Sequence, residues 1–354
     1  MENFGTWSVL ITNFLIVLYL ALGGVTLSSV LHLCNGKWRF QVRHLACSLA
    51  VLFPIAFVLL LIILSGGESA FPWLAEAHGD GHGDGHGHGG HHLNGWHDYN
   101  FLVIRNIVGF LVVAVLYVLF IKYQHESEVD SSDAAKTRFR NIALLIPFFY
   151  FTYGSMVAWD FEMTQVAGWH SASYGAYHFQ SNFHMFLGFF TILLFFLGRS
   201  GRLVKPFEGY IINFMAQFML AMTILWTYLY FTQYLIMWYG RLPEEMDRYD
   251  NMMHNDLAPL WWLFLTLKFI IPFFTLAITP NRHNPPVIVA VAISIVIGTW
   301  IERYVWISGS VDPEYYHIPM TSLLDIVITA VVFAVSWFAV KWSLTRYGLI
   351  KTTN

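Results

Sequence analysis

Residues 7–33 read "WSVLITNFLIVLYLALGGVTLSSVLHL". This run holds no Asp, Glu, Lys or Arg. As a helix rising about 1.5 Å per residue it outspans the roughly 30 Å hydrocarbon core of a bilayer. A signal peptide has a shorter apolar region behind a basic segment. Here Glu2 precedes the run, so residues 7–33 are expected to remain as a membrane helix. The rest of the chain is built in the same way. Hydrophobic residues make up 56% of its 354 residues, aromatic residues 18% and charged residues 12%. That is too apolar and too weakly charged for a soluble domain. Further windows of spanning length lie at 44–65, 101–123, 141–160, 174–198, 210–238, 258–279, 286–307 and 321–345. The expected fold is an all-α integral membrane protein of about nine transmembrane helices.

The loops alternate in charge. Lys37, Arg39 and Arg43 follow the first window; Lys122, Lys136, Arg138 and Arg140 the third; Arg199, Arg202 and Lys205 the fifth; Arg282 the seventh; Arg346 and Lys351 the ninth. The intervening loops are acidic or histidine-rich, as in "RLPEEMDRYDNMMHND" at 241–256. The positive-inside rule then puts the N-terminus outside and the C-terminus in the cytoplasm. A net charge of −3 leaves no broad basic field for nucleic acid.

Ionisable groups at membrane depth are costly, so each is a candidate functional residue. In "SYGAYHFQSNFHMFLG", residues 173–188, Tyr174, Tyr177, His178, Ser181, His184 and Gly188 recur at three- and four-residue steps, which forms one helical stripe. The fourth window ends in Asp160 and Glu162, and the eighth carries Glu302 and Arg303. Neighbouring residues on a helix do not face each other. Glu302 and Arg303 are therefore expected to pair with other helices, with Asp325 and Arg105 as candidates. Lys268 falls near the midplane of the seventh window, just before Pro272. Asn213, Gln217, Thr223, Thr227 and Tyr230 continue a polar trail through the sixth. Together these residues suggest two half-paths for protons meeting near His184 and Lys268, with Asp160, Glu162, His178, Glu302, Arg303, Asp325 and Gln217 along them.

Two other histidine features are weaker. "HGDGHGDGHGHGGHH" at 78–92 contains His78, His82, His86, His88, His91 and His92. These residues can gather a Zn, Cu or Ni ion, but alternate glycines give no rigid support, so a mobile loop that at most buffers metal is expected. His170 and His184 stand fourteen residues apart, yet no second transmembrane pair repeats that spacing, so intrinsic b-type haem is not expected. Cys34 and Cys47 form neither an iron–sulfur set nor a c-haem motif, and the chain has no P-loop.

Several segments carry a family likeness: "SMVAWDFEM" (155–163), "GWHSASYGAYHF" (168–179), "YFTQYLIMWYGRLPEE" (230–245), "FIIPFFTL" (269–276), "RHNPP" (282–286) and "WIERY" (300–304). They resemble the NrfD/PsrC-like membrane subunits of alternative complex III, in particular the ActF type, over most of residues 100–345. The resemblance implies a pair of four-helix bundles with no redox cofactor of their own, here with an extra helix. In such complexes menaquinol or ubiquinol delivers electrons to iron–sulfur and c-type haem partner subunits, and from there to a cytochrome c or an oxidase. A paralogous ActC-type subunit forms the quinol site, and the ActF type provides proton pathways and a second quinone contact. By position it marks Asp160, His170, His178, Gln233, Tyr234 and Glu302, and Tyr177 joins the candidate quinone contacts. The chain departs from the family in being shorter, in showing nine windows where ten are expected, and in its glycine–histidine loop.

The sequence thus divides into two helices (1–65), an outer loop (66–100), a helical core (101–345) and a cytoplasmic tail (346–354). The leading expectation is a subunit of a quinol:cytochrome c or quinol:acceptor oxidoreductase in the bacterial cytoplasmic membrane, providing a proton path. Two alternatives stand beside it: a secondary transporter for a metal cation, and an anchor holding extrinsic redox subunits.

Overall fold

The computed structural model describes residues 4–74, 95–130, 132–166, 168–240, 243–309 and 316–351. The histidine run, and with it the metal assignment to His78, His82, His86, His88, His91 and His92, lies outside the described residues. Among the described residues are nine helices long and apolar enough to cross a membrane: α1 Phe4–Leu33, α2 Arg39–Leu64, α3 Tyr99–Val129, α4 Asp133–Gln165, α5 Tyr174–Ser200, α6 Tyr210–Gly240, α7 Ala258–Ala277, α8 Pro285–Ser308 and α9 Leu323–Arg346. The protein is a multi-pass membrane protein. Helices α3 and α4 run beyond the apolar windows of the sequence at the basic end, where α4 begins with an exposed, charged turn that pairs Asp133 with Lys136.

A helix that is apolar on every side belongs inside a bundle, and α1 obeys this. Its most apolar stretch is 89% buried, against 17% for α9. Helices α1 to α4 close one four-helix ring, and α5 to α8 close a second. The rings meet where α1 packs on α5 and α8 and where α4 packs on α5, while α9 lies outside, against α1 and the turn Ser48–Leu52.

Lipid offers no hydrophobic drive between helices, so close packing and interhelical hydrogen bonds hold them together. Helix α1 shows both. A Cβ on Gly24 would stand 2.0 Å from Ala46 O of α2, so only glycine permits that approach. Thr26 Oγ1 bonds Tyr117 OH at 2.9 Å, Ser28 Oγ donates to Gln124 Oε1 at 2.8 Å, and Ser29 Oγ donates to Ala143 O at 2.6 Å. Two prolines shape their helices by lacking an N–H and crowding the carbonyl four residues back. Pro54 follows a 3-10 turn at Ser48–Leu52, and Pro272 follows a π-helical turn at Thr266–Ile270. The chain alternates direction at each span, so the N-terminus of α1 shares a face with the ends of α4 and α8. On the opposite, basic face, Gln41 Nε2 bonds Tyr210 OH at 2.9 Å and Leu203 pairs with Ile350 in an isolated β-bridge.

Candidate functional site

The site starts from the π turn. Pro272 cannot donate to Lys268 O, and the ladder resets so that Ile271 N–H bonds Thr266 O, five residues back. Leu267 O takes its hydrogen bond from Ser294 Oγ of α8, at 2.5 Å. Gly298 makes room beside the bulge: a Cβ there would lie 2.8 Å from Lys268 Cγ and 2.9 Å from Leu267 Cβ. Single π turns inside α-helices occur frequently at functional sites. Here the turn aims Lys268, fully buried, into the centre of the second ring, ten residues or about 15 Å from the start of α7.

Lys268 Nζ donates to Ser181 Oγ and to Glu302 Oε2, each at 2.5 Å, and lies 5.1 Å from the centre of the Trp226 ring. Glu302 collects further donors: Ser181 Oγ at 2.7 Å, Trp226 Nε1 at 2.9 Å and Tyr177 OH. Trp306 Nε1 donates in turn to Tyr177 OH at 2.9 Å. Arg303 Nη2 stands 3.0 Å from Glu302 Oε1, and its Nη1 donates to Glu162 Oε2 at 2.6 Å and Oε1 at 2.9 Å. Tyr174 OH also donates to Glu162, at 2.6 Å. Lys268, Glu302, Arg303 and Glu162 are all 0% exposed. Two carboxylates thus face two cations with zero net charge, the condition under which ions survive burial.

His178 completes the chain in an unusual way. Its Nδ1 is 2.7 Å from Glu162 Oε2 and also 2.7 Å from Arg303 Nη1. Guanidinium only donates and carboxylate only accepts. With a proton on Nδ1 the imidazole bonds Glu162; without it, the imidazole accepts from Arg303. One proton therefore exchanges the histidine's partner. The series Lys268–Glu302–Arg303–Glu162–His178 links the middle of the second ring to the end of α4.

A second buried acid is held apart from this series. Asp160 accepts from Arg105 Nη2 at 2.7 Å and Nε at 3.1 Å, from Asn106 Nδ2 at 2.7 Å and from Trp96 Nε1 at 2.9 Å. Arg105 also stacks 4.1 Å over Trp96 and donates to its carbonyl at 2.8 Å. This group fastens Trp96 to α3 and α4. Beside it, burial and the Arg105 charge hold His97 below the usual histidine range. Arg248, on the amphipathic helix Pro243–His254, closes the same face. It donates to Glu162 O at 2.7 Å, Trp306 O at 3.0 Å and Met163 O at 3.1 Å, carbonyls that the ends of α4 and α8 leave unpaired. Burial lowers its guanidinium to about 10, still charged at neutral pH.

The structure brings Glu162, Tyr177, His178, Lys268, Glu302 and Arg303 together, and it corrects other expectations. Glu302 and Arg303 do contact each other, because a long arginine side chain reaches round the 100° between successive residues. Neither pairs with the suggested partners: Arg105 goes to Asp160, and Asp325 takes His317 Nε2 at 2.6 Å. Gln217 is exposed and bonds Asn213. Six residues of helix turn it away from Thr223, so the trail on α6 does not line one face. His184 is buried with Nε2 3.2 Å from Thr223 Oγ1. His170 is exposed, with Nδ1 3.2 Å from Gly168 O. Gln233 is buried, and Tyr234 packs 5.6 Å from Tyr249, which reaches Tyr177 through Tyr230. Sequence reasoning passed over Trp226, Trp306, Asn106 and Arg248. An arginine inside an otherwise acidic amphipathic stretch was the available signal for Arg248. No protein-family model matches the chain, and a search among curated proteins returns no match.

Proposed function

We propose that this chain is a proton-conducting membrane subunit of a quinol-oxidising respiratory complex of the alternative complex III type. In this reading it lies in a bacterial cytoplasmic membrane with the N-terminus outside. Its partners are a paralogous ActC-type subunit, an iron–sulfur subunit and c-type cytochromes, which hold the electron carriers. The observation that carries the reading is the buried ionic series from Lys268 to His178. Charges at this depth are retained where a protein moves ions or protons, and the series reaches from mid-span to the outer end of α4. The segment likeness at 155–179 and 230–245 supplies the respiratory setting. Quinol oxidation releases protons, and His178, whose Nδ1 serves Glu162 or Arg303 according to its proton, is suited to pass them outward. Gln233 and Tyr234, joined to Tyr177 by packed aromatic rings, are the proposed quinone contact.

The test is purification through a C-terminal tag in mild detergent, with mass spectrometry of co-purifying chains and a reduced-minus-oxidised spectrum. Haem and iron–sulfur subunits together with quinol oxidation are expected; a chain that purifies alone and colourless refutes the respiratory setting. Within an intact complex, His178→Gln is expected to slow proton-coupled turnover. Full activity in that variant would assign the buried charges to helix packing and leave the chain an anchor.

A further inference from the structure

Helix α9 does not seal against the bundle. A crevice of about 170 Å³ separates it from α1 and α8, floored by Leu52 and by Met185 and Phe189 of α5. The α9 side of its lining runs from Thr329 to Val340, about 16 Å along a helix axis. A lining of that length makes an elongated slot, with the extent of a hydrocarbon chain.

The polar groups at one end are already engaged with one another. Trp300 Nε1 donates to Asn13 Oδ1, and Asn13 Nδ2 donates to Thr329 Oγ1, both at 2.9 Å. Below them the walls are Val17, Leu20, Val332, Phe333, Trp337 and Val340. Phe333 and Trp337 are 66% and 49% exposed, so the outer wall of the slot is also the outer surface of a membrane span. Close packing is what holds helices together in lipid, and along this slot α9 makes little of it with protein.

We propose that this crevice holds one acyl chain of a membrane phospholipid, wedged between α9 and the α1–α8 pair. Depth and elongated shape select a saturated or monounsaturated tail, and phospholipid is the molecule that surrounds α9 with such tails; the Ser336 hydroxyl, buried in the lining without a hydrogen-bond partner, gains none from such a tail. The bound chain supplies the packing that α9 lacks against protein.

The experiment uses the full-length chain in membranes containing a phospholipid with a photoreactive diazirine midway along one acyl chain. After irradiation and tag purification, the labelled positions are mapped by peptide mass spectrometry. Label is expected on Val17 and Leu20, which are only 4% and 6% exposed, as well as on Val332. In Ser336→Leu, which fills the slot from α9, label at Val17 and Leu20 is expected to disappear while label on lipid-facing Phe338 persists. Wild-type label confined to outward positions such as Phe338, with none on Val17 or Leu20, overturns the proposal. So does preferential labelling of these sites by a quinone carrying the diazirine on its isoprenoid tail. The wild-type map stands whether or not the filled variant folds.

Discussion

Replacing Lys268 by methionine keeps the stem that Gly298 accommodates and deletes one of four buried charges. At 2.5 Å and an effective dielectric constant near 20, the gross attraction to Glu302 is about 7 kcal/mol, of which desolvation offsets a large part. Removing one partner of a buried pair costs about 3–5 kcal/mol. Glu302 retains Arg303, Ser181, Tyr177 and Trp226, which places Lys268→Met near the lower end. Glu302→Gln leaves Lys268 and Arg303 facing each other with only Glu162 to balance them, which places it near the upper end. The double variant restores neutrality through Arg303 and Glu162. It should therefore cost about 3 kcal/mol less than the sum of the single variants, a coupling typical of contacting residues. The assay is a double-mutant cycle on reversible denaturant unfolding in mixed micelles. Additivity to within about 0.5 kcal/mol would refute the reasoning, since it would mean that the two groups do not share one electrostatic environment.

Other perturbations test neighbouring parts of the same argument. Gly298→Ala is expected to destabilise by about 1–3 kcal/mol despite alanine's better helix propensity, because its methyl group meets the Lys268 stem and Leu267 across a packed crossing; unchanged unfolding would show that the crossing is loose. Arg105→Met should cost about 3 kcal/mol or more by stranding Asp160, and Asp160→Asn in the same chain should recover part of that loss in thermal unfolding. His97 supplies a pH dependence. Its folded pKa is depressed by burial and by Arg105, so on acidification below the usual 6.5 the unfolded chain takes up its proton first. Stability should then fall as pH drops from 7 and level off below the folded value. His97→Phe should flatten that slope, and an equal slope in the variant would reassign it.

What the sequence determined by itself was everything that follows from local composition. Nine apolar windows, each long enough to cross a hydrocarbon core, specify nine helices because an unpaired backbone cannot remain in lipid. The stripe Tyr174–Tyr177–His178–Ser181–His184 was equally legible, since helical periodicity alone puts those residues on one face, and in the fold all five are buried. Pro272 disturbs the helix beside Lys268 for a reason confined to one residue's missing N–H. Pairing was a different matter. Helical spacing alone separates Glu302 from Arg303 by the angle between successive residues, yet long side chains bring them within 3.0 Å. Asp160 and Glu162 stand two residues apart and enter different networks, because α4 ends between α3 on one side and α5 and α8 on the other. Arg248 reaches the site from a surface helix through carbonyls that only the fold leaves open. Which buried charge meets which is decided by the crossing of α4, α5, α7 and α8, and a single sequence carries no periodicity that encodes contacts more than a hundred residues apart.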